Sequence, residues 1–129
     1  MPTPATLPLL VIEDEASVQA FLRTALERHG FKLVLANSGA EGLKVLQERK
    51  QDFAGVISDM RTPGGVTGAD VHSWLKQNRP DLADKLLFIT GDIVNEETAQ
   101  ILQSTGVPCI EKPFRVMELL AAIKKVMGI

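Results

Sequence analysis

Four apolar runs of strand length in this chain each end abruptly in side chains able to do chemistry. Leu9-Leu10-Val11-Ile12 breaks at Glu13-Asp14-Glu15, Val56-Ile57-Ser58 ends in Asp59, Leu86-Leu87-Phe88-Ile89 ends in Thr90-Gly91-Asp92, and residues 107–110 run into Glu111-Lys112-Pro113-Phe114. An acid at the carboxyl end of a buried strand is where open α/β sheets place their reactive groups, because those ends flank a crevice between the covering helices. Carboxylates brought together on one sheet edge repel each other unless a hard divalent cation neutralises them. Mg²⁺, or Mn²⁺ in its place, suits Glu13, Asp14 and Asp59, since Mg²⁺ takes one or two carboxylates, keeps several waters and works beside phosphate oxygens. A carboxylate is also a nucleophile toward a phosphoryl group. In such a transfer the protein's task is mainly to place charge-stabilising groups around the equatorial oxygens, which the Thr90 hydroxyl and Lys112 ammonium can do.

Each of these residues has an ordinary reading when taken alone. Asp59 would be a turn carboxylate, Glu13 and Asp14 helix-capping acids, Thr90 a strand end and Lys112 a solvated charge. Their occurrence at matching strand ends favours the chemical reading.

The elements that must position them follow from periodicity. After the first strand, Val18, Phe21, Leu22, Ala25 and Leu26 fall on one helical stripe, with Asp14 placed to cap its start and His29-Gly30 its end. Residues 32–36 form a second strand. Asn37-Ser38 then offer capping oxygens to a helix that turns Leu43 and Leu46 inward and ends near Lys50. The glycine-rich stretch after Asp59 leads to a helix with Val71, Trp74 and Leu75 that must stop before Pro80. Val94, Thr98, Ile101 and Leu102 mark a fourth helix, a brief strand follows over 107–110, and Val116, Leu119, Leu120, Ile123 and Met127 a fifth helix closed by Gly128. Five strands alternating with five helices predict one parallel sheet covered on both faces.

With 129 residues and 45% apolar content the chain fits one domain, residues 9–129, after a proline-containing leader over residues 1–8. Net charge is -2 with interspersed signs, so no basic footprint for nucleic acid is visible. No apolar run approaches the roughly 20 residues that cross a bilayer, and the first eight residues lack the features of a signal peptide, so a cytoplasmic location without membrane contact is expected. One cysteine, Cys109, excludes an internal disulfide and reads as a small buried hydrophobe. His29 and His72 read as surface residues, and Trp74 as part of a packed face. Neither a P-loop nor a G-x-G-x-x-G fingerprint occurs.

Glu13-Asp14, Asp59 with Pro63, Thr90-Gly91 and Lys112-Pro113-Phe114, in this order and spacing, resemble the receiver domain of two-component response regulators, over essentially 9–127. The resemblance implies a flavodoxin-like (βα)5 domain with strand order 2-1-3-4-5. It implies that Asp59 is phosphorylated by a histidine kinase or phosphotransfer protein, with Asp14 the main carboxylate ligand of Mg²⁺, Glu13 acting mostly through water, and the Arg61 carbonyl completing the protein's share. It further implies that Thr90 and Lys112 hold the phosphoryl oxygens and that the Lys112–Pro113 peptide is cis. The protein would then be a signalling switch, not an enzyme beyond self-catalysed phosphoryl acceptance and slow autodephosphorylation. Its output surface would be the helix near residues 95–104 with the strand and helix of 107–127.

Three positions depart from the family pattern. Cys109 stands where an aromatic residue usually precedes the lysine by three, so the usual coupling of an aromatic rotamer to Thr90 is not expected. The Pro63-Gly64-Gly65-Val66-Thr67-Gly68 loop is one residue longer than usual and lacks the common acid before its last glycine. Arg61 and Asp92 occupy positions that tune phosphoryl lifetime, and a salt bridge between them is expected to obstruct attacking water. Two other functions are weighed against the switch: a phosphorylation-independent interaction module, and a small hydrolase with an aspartyl-phosphate intermediate. With no output domain after the last helix, the chain reads as a stand-alone regulator or as the receiver of a hybrid kinase.

Overall fold

Strict alternation along the first strand explains the layering of the computed structural model, which describes residues 7–48, 52–60, 65–91 and 96–128. In β1 (Leu9–Ile12), Leu9 and Val11 face one side of the sheet and Leu10 and Ile12 the other, as a period of two requires. The same alternation runs through β3 (Gly55–Asp59) and β4 (Leu86–Thr90), both buried throughout. With β2 (Leu33–Ala36) and β5 (Cys109–Glu111), these strands form one parallel sheet in the order β2-β1-β3-β4-β5, as expected.

Two cores result, one on each face. Leu9, Val11, Ile57, Leu87 and Ile89 pack against Leu22 and Leu26 of α1 (Ala16–Arg28) and Leu119, Ile123 and Met127 of α6 (Val116–Met127). On the opposite face Leu10, Ile12, Val56 and Phe88 pack with Leu46 of α2 (Gly39–Glu48), Val71 and Leu75 of α3 (Gly68–Asn78) and Leu82 of α4 (Pro80–Ala83). Ile101 and Leu102 of α5 (Glu96–Thr105) cover that side, as do Trp74 and Cys109, all partly buried. Truncating any of the fully buried leucines to alanine would cost about 2–5 kcal/mol, so this double core holds the strand ends in place.

Local chemistry sets the element boundaries and revises four expectations. A sixth, short helix, α4, occupies the stretch read as a break: Pro80 stops α3 but then sits at the first position of a new turn, where its missing N–H is no loss. β5 begins two residues later than the apolar run and extends to Glu111. Its predecessor Pro108 has no N–H to donate, although its carbonyl accepts from the Phe88 N–H at 2.9 Å. Phe21 does not join the buried stripe of α1: it lies at its margin, 40% exposed, with its ring edge-on to Phe114 at 5.7 Å. Asp14 does not cap α1, which begins after Glu15 without a side-chain cap. The Gln19 side-chain amide instead bridges the turn, donating to the Glu13 carbonyl and to Asn37 Oδ1.

Other caps follow the sequence. Ser38 Oγ accepts from the Glu41 N–H at the start of α2, and α6 ends at Gly128 in the left-handed conformation. The loop before α3 closes in a reciprocal box, Thr67 capping the Asp70 N–H while the Asp70 carboxylate accepts from the Thr67 N–H. No helix among the described residues is long and apolar enough to cross a membrane.

Candidate functional site

Ladder register explains why residues far apart in sequence meet. Ile12 lies opposite Ser58, so the next residues, Glu13 and Asp59, share a level on neighbouring strands and continue the alternation toward the α1 and α6 side. Asp59 is in turn registered with Ile89, and Thr90 with Glu111, so Thr90 and Lys112 follow one step beyond. The Lys112 N–H donates to the Thr90 carbonyl at 2.7 Å, tying the two strand ends together, and the Lys112–Pro113 peptide is cis.

Lys112 is the hub of the site. Its ammonium lies 3.0 Å from Asp59 Oδ2, 3.2 Å from Glu13 Oε2 and 3.5 Å from Glu15 Oε1. Glu13, Asp59 and Thr90 are buried, whereas Asp14 and Glu15 are exposed. Burial first, and then the charge of Asp59, pushes the Glu13 carboxyl up to about 7, against the opposing pull of the Glu15 N–H and Lys112. Burial works against the Lys112 charge, but the hydrogen bond and charge of Asp59, supported by Glu13, outweigh it and hold the ammonium above its usual range.

One carboxylate oxygen each from Glu13, Asp14 and Asp59 lies within 4.8 Å of the others. Glu13 Oε2 is buried and, though near Lys112 Nζ, receives no hydrogen bond. A buried anionic oxygen without a donor, beside two more carboxylates, is a donor set of the kind that a hard, oxygen-seeking cation takes. Arg61, the fourth expected ligand, and Asp92, its expected salt-bridge partner, lie outside the described residues, as do Pro63 and Gly64.

Packing beneath Asp59 is unusually close. The N–H of Gly68, the first residue of α3, donates to the Met60 carbonyl at 3.0 Å, and a Cβ built on Gly68 would stand 3.0 Å from Met60 Cα and 3.2 Å from the Asp59 carbonyl oxygen. Only glycine lets the helix approach the strand end this closely. Above the site, Val18, Phe21, Gly91, Pro113 and Phe114 line an open, largely apolar groove of about 540 Å³ that reaches Lys112.

Glu15 is the participant that sequence reasoning missed. In the sequence it is only the third acid of a run, and nothing in its local spacing indicates a partner 97 residues away. Cys109 is only half-buried, less covered than a buried hydrophobe, and burial, with Glu111 and Asp59, pushes its thiol up to about 11. His72 departs from the surface reading: it is half-buried in a cleft of about 320 Å³ at the opposite end of the sheet, where burial and then Lys76 hold its pKa below the usual value.

Comparison with known proteins places these features in context. A family model for the response regulator receiver domain matches residues 9–124. The chain is 26% identical over 119 residues to the phosphate regulon transcriptional regulatory protein PhoB of Pseudomonas aeruginosa, covering 92% of this chain and 51% of that protein. It is 24% identical over 123 residues to the polar-differentiation response regulator DivK of Brucella ovis, covering 95% of this chain and 98% of DivK. It thus spans about half the length of PhoB but nearly all of DivK. A receiver domain structure from Clostridium thermocellum superposes with a TM-score of 0.80 at 26% identity, covering 95% of this chain and 94% of that one. The chemotaxis protein CheY4 of Vibrio cholerae shares the fold with a TM-score of 0.77 at 24% identity, covering 94% and 98%.

Proposed function

Because the chain belongs to the response regulator receiver domain family, whose members are signalling modules of two-component systems, we propose that Asp59 is its phosphoacceptor. The observation that carries this reading is the 3.0 Å contact between Lys112 Nζ and Asp59 Oδ2 at the carboxyl ends of β5 and β3. It sets a cation against a buried carboxylate of the acidic cluster, and the same lysine lines the groove.

In the proposed reaction an Asp59 carboxylate oxygen attacks the phosphorus of a phosphohistidine on a kinase or phosphotransfer protein. An acyl–phosphate bond forms, the P–N bond breaks, and the imidazole leaves with its electron pair. Asp59 must be ionised to attack, and Lys112, held above its usual range, stays charged to receive a phosphoryl oxygen. Thr90, at the end of the neighbouring strand, supplies a hydroxyl donor to a second oxygen. Glu13, Asp14 and Asp59, with the Arg61 carbonyl, would hold Mg²⁺ or Mn²⁺. When bound, the cation neutralises charge on the transferring group.

Output is assigned to α5, β5 and α6, the face that carries Met117, 72% exposed. With Cys109 in place of an aromatic ring, the signal passes through the backbone tie between Lys112 and Thr90 and through α5, without an aromatic rotamer. A phosphorylation-independent interaction module is the competing reading, favoured by Cys109 alone. Incubation with Mg²⁺ and acetyl phosphate separates them. The phosphoacceptor reading expects a single phosphoryl adduct by intact mass that is absent without the cation and absent in Asp59→Asn; no adduct, or one that persists in Asp59→Asn, contradicts it.

A further inference from the structure

Lys112 has three N–H donors, and three carboxylates surround it. While a phosphoryl donor approaches, all three carboxylates still contact the ammonium, so a phosphoryl oxygen gains a hydrogen bond from it only if one of them gives way. Glu13 is 1% exposed and cannot be replaced by water, and Asp59 is the attacking group. Glu15 differs from both: its side chain is 57% exposed and its contact is the longest of the three, at 3.5 Å. Its backbone is nonetheless pinned, since its N–H donates to Glu13 Oε1 at 3.2 Å and its carbonyl accepts from the Gln19 N–H at 3.0 Å.

We propose that Glu15 is a positioning residue that holds the Lys112 ammonium at the mouth of the site and releases it to the incoming phosphoryl group. The proposal rests on the phosphoacceptor reading of Asp59. Glu15 acts as a brake: it keeps Lys112 oriented in the resting protein, and its exposed carboxylate surrenders the ammonium to water and substrate at little cost. Exposed pairs of this type are worth roughly a 1.5–5-fold factor, and salt screens them.

The test measures initial phosphorylation by acetyl phosphate with Mg²⁺, using intact mass, in a double-mutant cycle. Glu15→Gln is expected to raise the rate about 1.5–5-fold at low ionic strength, with the gain lost at high salt. In a Lys112→Ala background the same substitution is expected to change nothing. If Glu15 merely repelled the anionic donor, Glu15→Gln would accelerate Lys112→Ala equally; that result, or no acceleration by Glu15→Gln in the otherwise wild-type chain, overturns the proposal. A second readout needs neither cation nor donor: acetylation of Lys112 by an N-hydroxysuccinimide ester, mapped by peptide mass, should quicken in Glu15→Gln, and an unchanged rate counts against the brake. An adduct on the wild-type chain with no effect of Glu15 defeats this proposal alone, whereas no adduct at all defeats the phosphoacceptor reading with it.

Discussion

Gly68→Ala tests whether the close approach of α3 to the end of β3 is built for the site. The added methyl would stand 2.9 Å from Phe88 Cε1, 3.0 Å from Met60 Cα and 3.2 Å from the Asp59 carbonyl oxygen. Two of these neighbours are backbone, and the third belongs to a fully buried ring, so none can yield without moving the strand end. Overpacking of this kind costs about 1–3 kcal/mol. Alanine's better helix propensity returns less than about 1 kcal/mol at this first helical position. The net loss is therefore about 1–2 kcal/mol, or roughly 3–8 °C in Tm for a domain of this size. Urea unfolding gives the stability, and the acetyl phosphate assay gives the site's response. Gly30→Ala is the matched control: it has open space around it but a φ of +86°, so it should lose about 1–2 kcal/mol through backbone strain while leaving phosphorylation unchanged. If Gly68→Ala matches wild type in stability, or phosphorylates no more slowly than Gly30→Ala, the close-approach argument is wrong.

Two further predictions concern protonation. With the Cys109 thiol raised from 9.0 to about 11, its alkylation by iodoacetamide at pH 8 should be about a hundredfold slower than in the urea-unfolded chain and should climb about tenfold per pH unit up to pH 10. A raised folded value means that its contribution to stability is complete below 9.0 and lost as pH rises through about 11; a reactivity midpoint near pH 9 would contradict the burial argument. In EDTA, Glu13, raised from 4.5 to about 7, should make the fold lose stability as pH rises through that window, because burial and Asp59 oppose its ionisation. Glu13→Gln should then be more stable than wild type at pH 8, on the order of 1–2 kcal/mol, with the advantage gone at pH 4.5. Urea unfolding at both values checks this, and a less stable Gln variant at pH 8 would refute it.

Much of the site was legible because strand ends are punctuated in the sequence. Glu13, Asp59, Thr90 and Lys112 each terminate an apolar run, and parallel strands present all such ends on one edge, so register alone brings the first two level. What escaped was decided by tertiary contacts with no local signature. Glu15 meets Lys112 only because the lysine side chain reaches from the end of β5 across the sheet edge to the turn after β1. Phe21 has the spacing of a buried residue, but its place at the margin of the stripe sets it against Phe114 instead of the sheet. Pro80 has the sequence signature of an end but is also a beginning, since a four-residue helix is too short to show periodicity. Asp14 has the right residue type for a cap, but its carboxylate belongs to the acidic cluster with Glu13 and Asp59, and α1 starts one residue later.

The central claim is that Asp59 itself becomes an acyl phosphate. Treating the protein with Mg²⁺ and acetyl phosphate, reducing it with sodium borohydride and sequencing its peptides by mass spectrometry reads this directly, because reduction turns an aspartyl phosphate into homoserine. Homoserine at position 59, and at no other aspartate, is the predicted result. Aspartate unchanged at 59, or homoserine at Asp14 instead, would contradict the account.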